Sequence, residues 1–307
     1  MEHALPESEY IPEAAFVPPS SGFVRLKGIS TQAACSSDVM LDQVRENMKL
    51  NLPMVQNLPE FNKVKGKNKQ IALVGGGPSL KNYLNELKEY KTIISCGSVH
   101  DYLITNNIIP TYAVNCDPDP VCAKYFTKSD TEVKYLIASN AAKEVIETLK
   151  DKQLILWHCH SDEQKDELIK IEWETYKRDY QGIGGGCTVG LRSISIAMCL
   201  GYSNIHMFGF DSCMKEDGTD HHAYDWATPE ESNLIEKIHR LQIGPEEGPE
   251  GKDYYLAGYQ LAQLENFKDF YYRHREYFIP TFRCDGALPD YYKLIKRLET
   301  DLEPIQE

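Results

Sequence analysis

QIALVGGGPSL, residues 70–80, decides the fold. The apolar run 70–74 is short, holds Ile and Val, and stops at three glycines, which reads as a buried strand running into a tight turn. Pro78 suits the first turn of a helix, and the pattern over 80–89 is helical. The same unit recurs outward from this point. TIISC (92–96), TYAVN (111–115), KYLIA (134–138), QLILW (153–157) and NIHMFGF (204–210) read as strands. SVHDYLITNN, AAKEVIETLK and VGLRSISIAMCLGY read as helices between them. Apolar strands alternating with helices predict an α/β, Rossmann-like fold with a mostly parallel sheet covered on both faces.

The flanks read differently. Residues 1–37 are rich in Pro and Ser with little periodicity, and are expected to form an arm, partly disordered. A helix is expected over 38–50, where Leu41, Val44 and Met48 share a face. The core domain is placed at 38–228. Residues 229–307 are expected to be a helical extension packed on it: EESNLIEKIHRLQ and YYLAGYQLAQLENFKDFYYRHREYF as helices, then TFRCD and a last amphipathic helix near LPDYYKLIKRLE.

The 307 residues can bury a core without disulfides or a structural metal. Nine scattered cysteines, odd in number and without a C-x-x-C pair, point to a reducing compartment. No run approaches the roughly 20 apolar residues that span a bilayer. MEHALPESEY lacks the order of a signal peptide, so a cytoplasmic, membrane-free protein is expected. A net charge of -13, from 33 basic and 46 acidic residues, disfavours broad nucleic-acid binding. Lys63, Lys65, Lys67 and Lys69 could form a local basic patch or only a solvated linker.

In open α/β sheets ligands sit beyond the C-terminal strand ends, so the residues there are the candidates. Gly75, Gly76, Gly77, Pro78 and Ser79 let the backbone approach an anion at a helix start, although neither a P-loop nor a full dinucleotide fingerprint is present. A turn without ligand is the alternative. Gly97 and Ser98, and Ser139 and Asn140, follow the second and fourth strands. Asn115 precedes CDPDP, where Asp117 and Asp119 can hold magnesium on a pyrophosphate or serve as turn formers. His158 and His160 lack companions for a zinc set, so no zinc is expected, and contact with phosphate or substrate stands beside a structural role. Gly184, Gly185 and Gly186 open the apolar helix with Thr188 as its cap, a second candidate anion site or else a hinge. Asp211, His221 and His222, at and after the last strand of the series, could supply a general base or acid.

In order, GGGPSL, NNIIPTYAVNCDPDP, LWHCHSDE and GGGCTVGLRSISIAMCLGYSNIHMFGFD resemble the 6-hydroxymethylpterin diphosphokinase (MptE-like) family over roughly residues 40–225. That group includes the glycosyltransferase domain of bacterial motility accessory factors, which DGTDHHAY resembles. A more distant likeness is to bacterial CMP-sialyltransferases. The diphosphokinase branch implies magnesium on Asp117 and Asp119 and a role for His158 and His160. The expected function is nucleotide-dependent transfer, with Mg²⁺-dependent diphosphoryl transfer from ATP to a hydroxymethyl acceptor placed first. Glycosyl transfer from a nucleotide sugar such as a CMP-sugar, with His221 or His222 assisting the acceptor or the leaving phosphate, comes next. For the transferase as a whole, Asp117, Asp211, His221 and His222 are the catalytic candidates. A non-catalytic binding or assembly module is third. The acceptor is not identified, and a homo-oligomer is possible.

Overall fold

The computed structural model describes residues 23–27, 38–55, 69–159, 182–218, 222–224, 238–244 and 251–302. In chain order the strands are β1 (Phe23–Lys27), β2 (Gln70–Val74), β3 (Ile93–Cys96), β4 (Tyr112–Asn115), β5 (Lys134–Ala138), β6 (Gln153–Cys159), β7 (Gly182–Ile183), β8 (Asn204–Phe208), β9 (Ile238–Gly244), β10 (Lys252–Ala257) and β11 (Ile279–Arg283). The helices are α1 (Asp38–Asn51), α2 (Leu84–Leu87), α3 (Val99–Thr105), α4 (Lys143–Leu149), α5 (Val189–Cys199), α6 (Gly258–His274) and α7 (Ala287–Leu302).

Eight strands form one sheet in the order β11-β8-β2-β3-β4-β5-β6-β7, every neighbouring pair parallel. From β2 the chain steps outward to β7. It then returns through α5 to the other side of β2, so the direction of winding reverses between β2 and β8. This is the doubly wound, Rossmann-like arrangement that the apolar runs predict.

The two-residue period of the strands assigns the faces. Ile71, Leu73, Ile94, Val114, Leu136 and Trp157 pack with α5, α6 and α7. Ala72, Val74, Ile93 and Phe208 face α2 and α3. Ala113, Tyr135, Ile137 and Leu156 face α1, α4 and the 3-10 helix Pro120–Phe126. Because both faces are buried, β2, β4 and β5 carry apolar residues on both faces at their centres, while β8 admits His206. Removing a side chain such as Leu73, fully buried in this core, costs about 2–5 kcal/mol.

Three expectations change. The segment after the glycine turn is not one helix over 80–89 but the 3-10 helix Pro78–Asn82 followed by the single turn of α2. The N-terminal arm contains β1, which pairs antiparallel with β9 as β10 does from the other side. The C-terminal third is not purely helical. HRLQ lies in β9 and YYLA in β10, and TFR lies in β11, the edge of the main sheet. In β9, His239, Leu241 and Ile243 are buried while Arg240 is exposed, a strand period that overrides the helical pattern of the preceding residues. Lys63, Lys65, Lys67, His160 and His221 lie outside the described residues.

Candidate functional site

The turn after β2 and the turn after β8 are fastened to each other. Gly75 N–H donates to Phe208 O and Gly77 N–H to Gly209 O, both at 2.8 Å. Ser79 donates to the buried Asp211 carboxylate twice, from its backbone N–H at 2.7 Å and from Oγ at 2.6 Å. A Cβ on Gly77 would lie 2.6 Å from Asp211 Cγ, and Gly209 adopts a left-handed φ of +64 with its Cβ position 2.5 Å from Gly75 O. These glycines are therefore required by backbone approach. Phe210 fills the remaining space, since a Cβ on Gly75 or Gly190 would meet its ring at 3.3 or 2.8 Å.

The same bonds occupy most of the donors that a phosphate at residues 75–79 would use. The amides of Gly75, Gly77 and Ser79 are already donated, and Leu80 N–H goes to Gly77 O. A five-residue 3-10 helix also carries little dipole. Gly76 is different. Its Cβ position lies 2.7 Å from Tyr224 Oη and 2.9 Å from the His222 ring, so both side chains lie over the turn. Asp211 likewise sits as a fastener between strand ends.

From Gly76 a continuous row of polar groups runs along the strand ends toward β6. Tyr224 Oη shares a 2.6 Å hydrogen bond with Ser98 Oγ and its ring stacks on Tyr102 at 5.0 Å. Burial pushes the Tyr224 phenol well up, so it stays neutral at physiological pH. Gly97 follows β3 with φ +58, and its Cβ position lies 3.9 Å from Asn115 Oδ1 and from the Val189 methyls. Gly97, Asn115 and the start of α5 thus converge.

Asn115 and Asn140 hold the acidic loop by their amino groups. Asn115 Nδ2 donates to Asp117 O at 3.3 Å, and Asn140 Nδ2 donates to Cys116 O at 2.7 Å. Carbonyls only accept, so these bonds fix both amide orientations. The two Oδ1 atoms are left buried without a hydrogen-bond partner. An acceptor in that state costs about 1–3 kcal/mol unless a ligand or a water supplies a donor. Asp117 Oδ1 accepts Asp119 N–H at 3.0 Å, and Asp119 Oδ1 caps the helix Pro120–Phe126 through Val121 N–H at 2.8 Å. Desolvation raises the Asp117 pKa, with the Asp119 charge adding to it and the bond from Asp119 N–H opposing it.

On β5 and β6, Ser139 Oγ lies 2.8 Å from Nδ1 of the buried His158. On the opposite face the Cys116 thiol is raised well above its ordinary range. Its hydrogen bond with the Cys159 thiol contributes most, then burial, while the Arg192 guanidinium pulls the other way.

Thr188 caps α5 by accepting Leu191 N–H at 3.3 Å. Gly185 and Gly186 before it pack closely on α5, since a Cβ on either would meet Ser195 Oγ at 2.6 Å or Leu191 Cδ1 at 2.9 Å. Arg192 donates to Ile183 O and Gly186 O and fixes this loop. What remains for an anion is the first turn of an eleven-residue helix whose N-terminus abuts Gly97 and Asn115.

Magnesium fits this donor set in part. Two carboxylates and two amide oxygens are hard ligands, and magnesium commonly adds water and phosphate oxygens to one or two carboxylates. Among the described residues no group of three or more His, Cys, Asp or Glu side chains could hold a metal ion. Sequence reasoning missed Asn47, Asn51, Tyr102, Arg192 and Tyr224. Tyr224 and Arg192 lay inside the stretches DGTDHHAY and GGGCTVGLRSIS without being assigned a role. No helix among the described residues is long and apolar enough to cross a membrane.

The sequence matches the family model described as 6-hydroxymethylpterin diphosphokinase MptE-like over residues 46–217, more than half of the chain. No curated protein matches it. Among solved structures, the MAf glycosyltransferase from Magnetospirillum magneticum AMB-1 superposes with a TM-score of 0.54 at 12% identity, over 84% of this chain and 42% of that one. The chain therefore spans less than half the length of that protein. The sialyltransferase CstII from Campylobacter jejuni, solved with CMP-3FNeuAc, gives 0.38 at 16% identity over 73% of this chain and 84% of that chain. A mammalian sialyltransferase gives 0.36 at 10% identity over 66% and 82%.

Proposed function

The chain belongs to the 6-hydroxymethylpterin diphosphokinase MptE-like family, and on that premise we propose that it is a nucleotide-dependent transferase acting at the C-terminal ends of β3–β6. The observation that carries this reading is the pair of buried, unpartnered amide oxygens on Asn115 and Asn140 beside Asp117 and Asp119. Such a floor accepts hydrogen bonds and repels anions. It suits the hydroxyl-bearing part of a ligand, a ribose or a sugar, with the phosphate on the first turn of α5. A helix N-terminus supplies about half a unit of positive charge. That matches one phosphodiester better than a triphosphate set beside two carboxylates.

We therefore favour glycosyl transfer from a nucleotide sugar. An acceptor hydroxyl forms the new bond to the sugar's anomeric carbon, the bond from that carbon to the donor phosphate breaks, and the hydroxyl proton passes to a base. His222, over Gly76, is the described candidate for that base.

Magnesium-dependent diphosphoryl transfer from ATP to a hydroxymethyl group is the second reading. Family membership and the Asp117/Asp119 pair favour it. There Asp117 and Asp119 would hold the ion, which would neutralise the phosphate charge.

Thermal unfolding separates the readings. Ligand at a hundred times its Kd adds about 2.7 kcal/mol, a rise of roughly 4 °C for a chain of this length. A rise with CMP or CDP and none with ATP and Mg²⁺ supports glycosyl transfer. A rise with ATP and Mg²⁺, together with AMP release in the presence of 6-hydroxymethyl-7,8-dihydropterin, replaces it with the second reading. No rise with any nucleotide defeats both.

A further inference from the structure

Asn47 and Asn51 stand one helical turn apart on α1, and both are buried. Asn47 Nδ2 donates to Pro118 O at 3.3 Å and to Asn140 O at 2.9 Å. Asn51 Nδ2 donates to Ser139 O at 3.0 Å and Ala141 O at 2.8 Å. Two side chains thus satisfy four backbone carbonyls in the loops that follow β4 and β5. Asn140 is the hub: its backbone O takes the bond from Asn47 while its own Nδ2 holds Cys116 O. Met48 and Leu52, fully buried among Phe126, Ala141 and Val145, anchor the helix that carries the pair.

A buried polar side chain is costly wherever a bond goes unmade, so four carbonyls bonded by two buried amides form a demanding arrangement. The arrangement is explained if those carbonyls must be held at fixed positions. We infer that Asn47 and Asn51 are positioning residues: α1 sets the spacing of the Cys116–Asp119 and Ser139–Asn140 backbones, and through them the spacing of the two acceptor oxygens and the two carboxylates. This rests on the transferase reading for its effect on ligand, though not for its effect on the loops. Linkage makes the coupling reciprocal, so ligand in the site also holds α1 in place.

The test uses the full chain, with hydrogen exchange read by mass spectrometry and CMP and ATP·Mg²⁺ as probes. N47D replaces the shared donor by a carboxylate facing two carbonyls. It is expected to speed exchange about tenfold over residues 116–122 and 139–146, leave β2 and β8 unchanged, and weaken the binding probe about tenfold, which is about 1.4 kcal/mol. N47Q, which keeps an amino donor, is expected to recover part of both. In the wild-type protein the binding probe is expected to slow exchange in α1.

Unchanged exchange in the two loops of N47D overturns the inference. So does faster exchange with unaltered affinity, or faster exchange spread evenly over the sheet with N47Q no better than N47D, the mark of a merely structural role. Should N47D fail to fold, N47A removes the donor without adding charge and carries the same comparison. Should the wild type bind neither probe, the transferase reading falls, and the exchange pattern alone decides whether Asn47 holds the loops.

Discussion

Replacing Asp211 distinguishes a fastener from a catalytic base. Its carboxylate takes the Ser79 N–H at 2.7 Å and the Ser79 hydroxyl at 2.6 Å, and the residue is 2% exposed. A hydrogen bond to a charged group contributes about 1.5–3 kcal/mol. D211A therefore destabilises by about 3–6 kcal/mol, and S79A, which keeps the amide donor, by about 1.5–3 kcal/mol. In the double variant the bond between hydroxyl and carboxylate is lost only once, so the coupling should reach about 1.5 kcal/mol or more. D211N is milder, at about 1–2 kcal/mol, because Oδ1 still accepts the amide while Nδ2 donates to Ser79 Oγ. Urea unfolding followed by Trp fluorescence reads all four, with Trp157 in the core as reporter. A loss under about 1 kcal/mol for D211A, or a coupling below about 0.5 kcal/mol, refutes the fastener. A stable D211N protein that has lost all turnover would instead restore Asp211 as the reacting base.

D117N should lose nucleotide response yet match or exceed the wild-type melting temperature at pH 7 without ligand. A carboxyl with a raised pKa stabilises the fold below its ordinary pKa and loses that contribution as pH rises through the raised value. The wild type should thus weaken relative to D117N as pH rises upward from about 4, and parallel pH–stability curves would contradict this. N115L removes a buried acceptor with no partner, a gain that offsets the lost Nδ2 bond to Asp117 O, so unfolding stability should change by less than about 1 kcal/mol while nucleotide affinity drops about tenfold or more by calorimetry. G77A forces a Cβ to within 2.6 Å of Asp211 Cγ and should cost about 2–3 kcal/mol or more, whereas G258A, with nothing within 4 Å at the start of α6, should be neutral or up to about 1 kcal/mol stabilising. Equal effects of the two in urea unfolding would show that the clash at Gly77 relaxes.

The parallel sheet was legible because burial on both faces leaves an apolar run, which β2, β4, β5 and β6 each show, while β8 interrupts its run with His206. The antiparallel trio was not. β1 pairs Phe23 with Gly244 of β9, a contact between distant parts of the chain that no local pattern announces. The alternation in IHRLQIG was readable, but the charged residues before it fit a helix equally well. For the site, the strand-end rule found Asn115, Ser98 and Asp117, whose places follow from where strands stop. It could not find Asn47, because an asparagine on a helix gives no sign of which carbonyls it will meet. The glycine turn was the reverse case. Its composition announces close approach, and whether the approaching group is a phosphate or the chain's own β8 is decided only in three dimensions.

The pairing of β2 with β8 also sets a timetable for synthesis. Asn204 lies 134 positions after its partner Gln70. At about 5–20 residues per second the ribosome needs roughly 7–27 s to cover that distance. Throughout it, one flank of an apolar central strand has no neighbour to bond, while β3 to β6 can already assemble on the other. An unpaired hydrophobic edge is the feature most prone to join the wrong chain. Yield in the cell should therefore depend on translation speed and chaperone cover before β8 emerges, more than on the stability of the finished protein.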